Sequence, residues 1–464
     1  MILMEEQQLQ RGLKNRHVQL IAIGGAIGTG LFLGAGKSIH LTGPSILFAY
    51  LITGVILFFI MRALGELLLS NLNYHSFVDF VRDYLGEMPA FITGWTYWFC
   101  WISLAMADLT AVGLYFQYWF PSIPQWVPGL ICLAILVLMN LATVKLFGEM
   151  EFWFALIKII AILTLIVTGI FLIITGFSTN SGPASFTNLW SHGGMFPNGM
   201  TGFILSFQMV VFAFVGIELV GLTAGETENP KKVIPQAINN IPIRILVFYI
   251  GALIIIMSVY PWDAIVPTES PFVQVFSAMG IVAAASIINF VVLTSAASAG
   301  NSAMFSTSRM VYSLAKEKNA PKKMANLNKR QVPANALLFS TAVVLISTIL
   351  NYIMPEGVFT LITSISTICF IFVWAITVIC HMKYRKTRPE LAKKNTFKMP
   401  FYPVSNYLIL AFLAFVIVIL AFAEDTRIAL FVTPVWFIML IAIYKMRKTN
   451  RKQEPVVEQF KENG

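Results

Sequence analysis

The sequence of 464 residues is 57% hydrophobic and 12% charged, whereas a soluble domain is about 45–50% apolar and about 25% charged. A soluble enzyme is therefore excluded, because its surface could not accommodate so much apolar material. The apolar runs continue for about 20 residues, which suits membrane-spanning helices and not the short alternating strands of a transmembrane β-barrel. The formal net charge of +10 is concentrated on one predicted side of the membrane, so it does not indicate nucleic acid binding.

Hydropathy predicts an all-α polytopic membrane protein with twelve transmembrane helices, called spans 1 to 12 below. In chain order the spans cover about 18–43, 45–69, 90–118, 127–146, 151–176, 200–221, 241–260, 279–308, 333–352, 357–380, 403–422 and 428–446.

The basic residues alternate between the two sides of the predicted bundle. Of the 32 Lys and Arg residues, all but Lys37 and Arg427 fall on one side or in the halves of the spans nearest to it. Cytoplasmic loops retain positive charge, so this side is predicted to be cytoplasmic and to hold both termini. The basic loops at 316–330 and 383–398 would also suit anionic lipid or nucleic acid, but topology is the simpler interpretation.

Two spans carry interruptions. Span 1 has four glycines between Gly24 and Gly30, and span 6 has an irregular stretch at 212–221 that contains Glu218. Glycines weaken a helix, and unpaired backbone at membrane depth is tolerated only in cavities or against protein. Irregular segments at matching positions in two halves predict a transporter site between inverted repeats. The alternative for span 1 is a small-residue face that packs helices closely.

The two predicted breaks offer opposite poles to a ligand. Free amides at Gly28, Thr29 and Gly30 would receive a carboxylate, since a helix amino terminus favours negative charge. Free carbonyls near Phe212 and Ala213 would receive an ammonium group. These poles fit the α-carboxyl and α-amino groups of an amino acid.

Ionisable residues at membrane depth are functional candidates. Lys158 is predicted to couple proton binding to transport, with snorkelling of its stem to the interface as the structural alternative. Glu218 has a coupling role or a structural one. Glu226 is a candidate for an inner gate, and Asp108 faces either the pocket or a polar partner.

A local ion pair is predicted at the inner end of span 2. Arg62 and Glu66 are four residues apart on one helix, a spacing that places them on the same face.

Three strings resemble the amino acid transporter family of the amino acid-polyamine-organocation superfamily. They are Gly24–Phe32, Gly148–Lys158, and Phe212–Gly221 followed by Gly225–Pro230. Further strings resemble the bacterial permeases for D-serine, D-alanine and glycine: Trp95–Trp101, Asn140–Lys145 and Phe290–Ser298.

The resemblance implies a leucine-transporter-like core of two inverted five-helix repeats with interrupted helices 1 and 6, two added helices, and proton-coupled uptake by alternating access in a bacterial plasma membrane. It also supports Lys158 as the coupling residue and Phe212 as a lid over the substrate. The expected organisation is a cytoplasmic segment 1–17, repeats at 18–176 and 200–380 around an extracellular loop 177–199, a basic cytoplasmic loop 381–402, helices 11 and 12 at 403–446, and a cytoplasmic tail 447–464.

The sequence therefore predicts a symporter for small neutral amino acids, most simply D-serine, D-alanine and glycine. No metal, cofactor or nucleic acid is expected; the predicted partners are the substrate, a proton and the bilayer. A permease for 4-aminobutyrate or proline is the main alternative, and a channel or a membrane enzyme is a remote one. The candidate binding and pocket residues are Ala26, Ile27, Gly28, Thr29, Gly30, Met106, Asp108, Phe212, Ala213, Phe214 and Ser298.

Overall fold

The computed structural model describes residues 27–72, 74, 76–142, 144–218, 229–280 and 282–453. This part of the chain is mostly helical, and its one sheet is a two-stranded antiparallel ladder between Ser178–Thr179 and Gly182–Pro183. Helices satisfy their backbone groups internally, as a segment in hydrocarbon must.

A helix is present at every predicted span. The spans are Thr29–Phe32 with Gly34–Thr42 (span 1), Ile46–Ser70 (2), Glu87–Gln117 (3), Trp126–Asn140 (4), Val144–Thr175 (5), Gly199–Phe212 (6), Pro230–Asn239, Ile241–Arg244, Ile245–Gly251 and Ala252–Val259 (7), Val282–Lys316 (8), Ala334–Ile353 (9), Val358–Thr387 (10), Val404–Ile419 (11) and Glu424–Gln453 (12). Span 7 is α-helical except for the π-helical stretch Ile245–Gly251.

Within the described residues, eight helical segments are long and apolar enough to cross a membrane. Spans 4, 11 and the described part of span 6 are shorter apolar helices. The polytopic helical fold is thus confirmed. Several helices extend past their predicted ends, as span 8 does to Lys316, because hydropathy detects only the part of a helix that lies in hydrocarbon.

Short helices connect the spans. Phe77–Leu85 begins with a capping box in which the backbone N–H of Ser76 donates to Asp79 at 2.9 Å. The other short α-helices are Asn188–Ser191, Pro271–Ala278 and Pro389–Lys394, and 3-10 turns lie at Gly43–Ser45, Trp262–Ala264 and Lys322–Ala325.

Span 3 runs through the centre of the bundle, where it packs against spans 8 and 10. The second half of span 1 packs against the first half of span 6. This packing brings the interrupted segments of spans 1 and 6 to the middle of the molecule.

Lys37, one of the two exceptions to the charge alternation, has a partner on a distant helix. Its ammonium group pairs with Asp425 at the start of span 12 and also donates to Thr360 Oγ1 at 3.1 Å. The cation therefore ties span 1 to spans 10 and 12.

The predicted ion pair between Arg62 and Glu66 is wrong. The buried Glu66 carboxylate accepts from His381 Nε2 at 3.0 Å and from Arg385 at 2.8 Å, both on span 10. Arg62 donates to Asn239 Oδ1 at 3.1 Å and lies 3.8 Å from the ring centre of Phe397. The i, i+4 spacing suggested a local ion pair, whereas in the structure the Glu66 carboxylate binds His381 and Arg385 of span 10.

Candidate functional site

The described helix of span 1 begins at the predicted break. Gly28 has an extended backbone with φ −132° and ψ −161°, and its carbonyl accepts from the amides of Leu31 and Phe32 at 3.2 Å. The amides of Thr29 and Gly30 head the helix, where no acceptor within the helix reaches them. Span 1 therefore presents a helix amino terminus at the centre of the bundle.

The helix of span 6 ends at Phe212, and a series of turns follows from Ala213 to Glu218. Gly216 has φ +91°, a conformation that residues with a Cβ rarely adopt. The interruption of span 6 thus lies at the residues that the sequence predicts.

The two breaks touch each other. A Cβ added to Gly30 would lie 2.5 Å from the Cα of Ala213 and 3.0 Å from its backbone nitrogen. Only a glycine allows this approach, which sets the start of one half-helix against the end of another. No described atom lies within 4 Å of the corresponding position at Gly28.

A carboxylate from span 3 reaches the break of span 1. Thr29 Oγ1 donates to Asp108 Oδ1 at 2.9 Å, and both side chains are buried. Among the described residues, Asp108 Oδ2 has no hydrogen-bond partner. The polar partner of Asp108 is thus Thr29, which is itself a predicted pocket residue, so both alternatives for Asp108 stay predictions.

Lys158 is 2% exposed, so its side chain is inside the bundle. Its ammonium group interacts electrostatically with the carboxylates of Glu151 and Asp108. The Lys158 side chain therefore does not snorkel to the interface. Its charge acts on Asp108, the carboxylate that is bonded to Thr29.

Glu151 connects span 5 to span 8. Its Oε2 accepts from Ser298 Oγ at 3.0 Å and its Oε1 from Asn301 Nδ2 at 3.1 Å. Asn301 Oδ1 accepts in turn from Asn140 Nδ2 on span 4 at 2.8 Å. The hydroxyl of Ser298 is thus engaged with a carboxylate.

Glu218 is fully buried at the end of the described part of span 6. The indole of Trp374 and the hydroxyl of Tyr97 face its carboxylate. Among the described residues neither Glu218 oxygen has a hydrogen-bond partner of ordinary geometry. The free energy of a buried carboxylate without hydrogen-bond donors depends strongly on the polar groups around it, so a movement of span 6 would change it.

Among the described residues, each carbonyl at the span 6 break accepts one hydrogen bond. The Phe212 carbonyl accepts from Val215 N at 3.1 Å, and the Ala213 carbonyl accepts from the Tyr249 hydroxyl at 3.2 Å. A carbonyl oxygen has two lone pairs, so each retains capacity for a second donor.

The aromatic residues of the break have different surroundings. Phe212 is 1% exposed and meets Phe359 edge-on at 6.3 Å between ring centres. Phe214 stacks on Tyr249 at 4.7 Å and tilts against Tyr50 at 5.6 Å. Phe214 therefore belongs to an aromatic cluster with spans 2 and 7.

The remaining candidates divide into two groups. Ile27 and Met106 are buried, and Gly28 is half-buried. Ala26 and Glu226 lie outside the described residues.

Sequence reasoning missed Glu151, Asn301 and Tyr249. Glu151 lies seven residues before Lys158, a two-turn spacing that puts both on one helix face, and this spacing was an available signal. Asn301 was visible as an amide within a span of small and apolar residues. No sequence pattern pairs Tyr249 with a carbonyl 36 positions away.

A sequence model of the amino acid permease family matches residues 17–455. The uncharacterized transporter YdgF of Bacillus subtilis is 79% identical over 447 residues, which cover 96% of this chain and 98% of the relative. The amino-acid permease AapA of the same organism is 77% identical over 443 residues, or 96% of each chain. The D-serine/D-alanine/glycine transporter of Escherichia coli K12 is 56% identical over 438 residues, or 94% of this chain and 93% of the relative.

Proposed function

The chain belongs to the amino acid permease family, and from this premise we propose that it is a proton-coupled symporter that imports D-serine, D-alanine and glycine by alternating access. The observation that carries the proposal is the contact between two interrupted helices, at Gly30 and Ala213, deep within the bundle. A transport site built this way lies between two half-helices whose ends carry opposite partial charges.

The substrate carboxylate would bind at the amides of Thr29 and Gly30. The ammonium group would bind at the carbonyls of Phe212 and Ala213, which retain acceptor capacity. Both poles are backbone groups, so they recognise the part that all amino acids share. Discrimination would then come from the side-chain walls.

Those walls would be mostly neutral, with the Asp108 carboxylate beside Thr29 as an exception. Span 3 would contribute Ala105 and Met106, and span 6 would contribute Phe212. All three side chains are buried. A large substrate side chain would clash, and a charged one would lose its hydration without a partner, at a cost of several kcal/mol. Glycine, alanine and serine fit these limits. Transport of the D-forms is proposed from the similarity to the named Escherichia coli transporter.

Proton coupling would pass through Lys158. Its charge acts on Asp108, and Asp108 holds Thr29 at the start of the span 1 helix. Loss of the proton from Lys158 would change the charge balance around Asp108 and so the position of that helix. Ser298, which donates to Glu151, would contribute by holding the carboxylate that faces Lys158. Glu218 would respond to rearrangement of span 6.

The proposed organisation follows the predicted topology. Repeats at 18–176 and 200–380 would enclose the site, and both termini would lie in the cytoplasm of a bacterium. The protein is a multi-pass membrane protein, and its relatives in Bacillus subtilis and Escherichia coli are bacterial.

The deciding experiment is uptake by proteoliposomes under an imposed pH gradient. Radiolabelled D-serine, D-alanine, glycine and 4-aminobutyrate would be offered separately, with a protonophore as control. Accumulation of the first three that collapses with the protonophore supports the proposal. Accumulation of 4-aminobutyrate without D-alanine would assign the protein to another substrate, and accumulation that survives the protonophore would exclude proton coupling.

A further inference from the structure

A cavity lies between spans 3, 9 and 12, and none of its lining residues belongs to the interrupted spans 1 and 6. Its volume is about 540 Å³. Met439 and Ile443 of span 12 line it and are 41% and 38% exposed, so the cavity opens on the outer surface of the bundle. In a membrane protein that surface faces lipid.

The walls of this cavity are apolar because the indole N–H groups of its tryptophans already donate to acceptors in the protein. Trp95 Nε1 donates to the Asn319 carbonyl at 3.2 Å, and Trp98 Nε1 donates to Ser340 Oγ at 3.0 Å. Trp436 Nε1 donates to Thr96 Oγ1 at 3.2 Å. The indoles therefore present only their apolar surfaces to an occupant, which favours hydrocarbon over any polar molecule.

The cavity has the depth of one leaflet. It extends along span 12 from Trp436 to Arg447, which is about 16 Å at 1.5 Å rise per residue. Half of a hydrocarbon core about 30 Å thick is about 15 Å. An extended acyl chain would fill this length.

One end of the cavity is basic. Arg447 is the charged residue of its lining; it donates to the Asn319 carbonyl at 2.6 Å and to the Lys318 carbonyl, and its guanidinium lies 5.6 Å from the ring centre of Phe91. Two acidic residues near this end in the chain, Glu87 and Glu317, are both paired with Arg82. Exposed cations lie within a few residues of its lining along the chain: Lys316, Lys318, Lys322, Lys323, Lys445 and Lys448.

We propose that this cavity binds an anionic phospholipid, with one acyl chain between spans 3, 9 and 12 and the headgroup phosphate beside Arg447. The apolar walls take the chain, and the basic end attracts the headgroup at about 1 kcal/mol, or about fivefold in affinity, per nearby cation. The site is separate from amino acid binding and would tie span 12 to the central span 3.

The proposal is tested by native mass spectrometry of the full chain purified in detergent. Dioleoyl phosphatidylglycerol and dioleoyl phosphatidylcholine are added at equal concentration, and oleate is added in a separate arm. Three variants are compared with the wild type. Val343→Trp fills the cavity, Arg447→Gln removes its charge, and the control Leu345→Trp adds the same bulk two residues along span 9, on a different face of the helix.

The wild type and Leu345→Trp should retain phosphatidylglycerol in preference to phosphatidylcholine. Val343→Trp should lose the bound lipid, and Arg447→Gln should reduce the preference about fivefold. Thermal unfolding should show the same order, with phosphatidylglycerol raising the midpoint of the wild type and of the control but not that of Val343→Trp.

Three results would overturn the proposal. Equal retention of the two phospholipids by the wild type would remove the anionic headgroup from it, and equal binding of oleate alone would replace the phospholipid by a fatty acid. A dimer that carries no lipid and dissociates on Val343→Trp substitution would assign the cavity to a second copy of the chain.

Discussion

The contact between the two helix breaks makes a steric prediction at Gly30. In Gly30→Ala the added methyl would lie 2.5 Å from Ala213 Cα, about 1 Å closer than the roughly 3.5–4.0 Å of ordinary carbon contacts. The obstacle is backbone on span 6, so it cannot be relieved by a change of rotamer. The two breaks must separate for the methyl to fit.

The magnitude follows from two opposed terms. Overpacking costs about 1–3 kcal/mol, and contact with backbone belongs to the upper part of this range. Alanine recovers about 1 kcal/mol relative to glycine within a helix. The net penalty is about 2 kcal/mol against the arrangement in which the breaks touch, or roughly a 30-fold shift in its population.

The assay combines the initial rate of uptake in proteoliposomes with the midpoint of thermal unfolding. Gly30→Ala should lose most of its uptake and unfold at a lower temperature. Gly28→Ala is the matched control for stability, because its methyl would meet no described atom within 4 Å and its φ of −132° suits alanine. If Gly30→Ala keeps wild-type uptake and stability, the close approach is refuted; an equal loss of stability in both variants would refute the steric argument.

Three further predictions concern charged groups inside the bundle. Lys158→Gln should abolish accumulation driven by a pH gradient while substrate counterflow persists, and accumulation at the wild-type level would disprove coupling through this residue. Glu151→Gln keeps a carbonyl acceptor for Asn301, and its amide NH2 donates to the Ser298 hydroxyl, but it removes the charge beside Lys158. The pH dependence of uptake should therefore shift while the unfolding midpoint changes little; an unchanged pH profile would contradict this. Glu66→Ala should cost about 3 kcal/mol because it leaves the buried His381 and the half-buried Arg385 without their partner, whereas the more exposed Arg62→Ala should cost about 1 kcal/mol or less. Equal unfolding midpoints for these last two variants would contradict the network seen around Glu66.

The spans were predictable because the bilayer imposes one requirement on every segment that crosses it. About 20 apolar residues and an internally bonded backbone are needed wherever the chain crosses, so each helix is visible in its own local sequence. The break in span 6 was visible for the same reason, since Gly216 and Glu218 are costly in a regular helix at that depth. Helix ends were less predictable, because span 8 continues as a polar helix to Lys316.

Side-chain partners were less predictable because they depend on helices distant in sequence. The spacing of Arg62 and Glu66 suggested a pair, but His381 lies 315 positions from Glu66 and still binds it. Ser298 is predicted at the substrate, but no local pattern predicted that its hydroxyl donates to Glu151, 147 positions away. Hydropathy gives the existence of a helix; the rotation of each helix about its axis is set by its neighbours.

Phe212 and Phe214 provide the last test, since two aromatic residues on the same break are expected to differ in role. Both are buried, so Phe→Leu removes similar apolar area from each. Phe214 has two aromatic neighbours within 5.6 Å, whereas Phe212 meets Phe359 at 6.3 Å. Aromatic pairs contribute about 0.5–1.5 kcal/mol each beyond burial, so Phe214→Leu should lower the unfolding midpoint more. Phe212→Leu should instead reduce uptake at least about tenfold, the effect of about 1.4 kcal/mol on a rate, while its stability stays near that of the wild type. Parallel losses of uptake and stability in both variants would make Phe212 a packing residue and remove it from the substrate site.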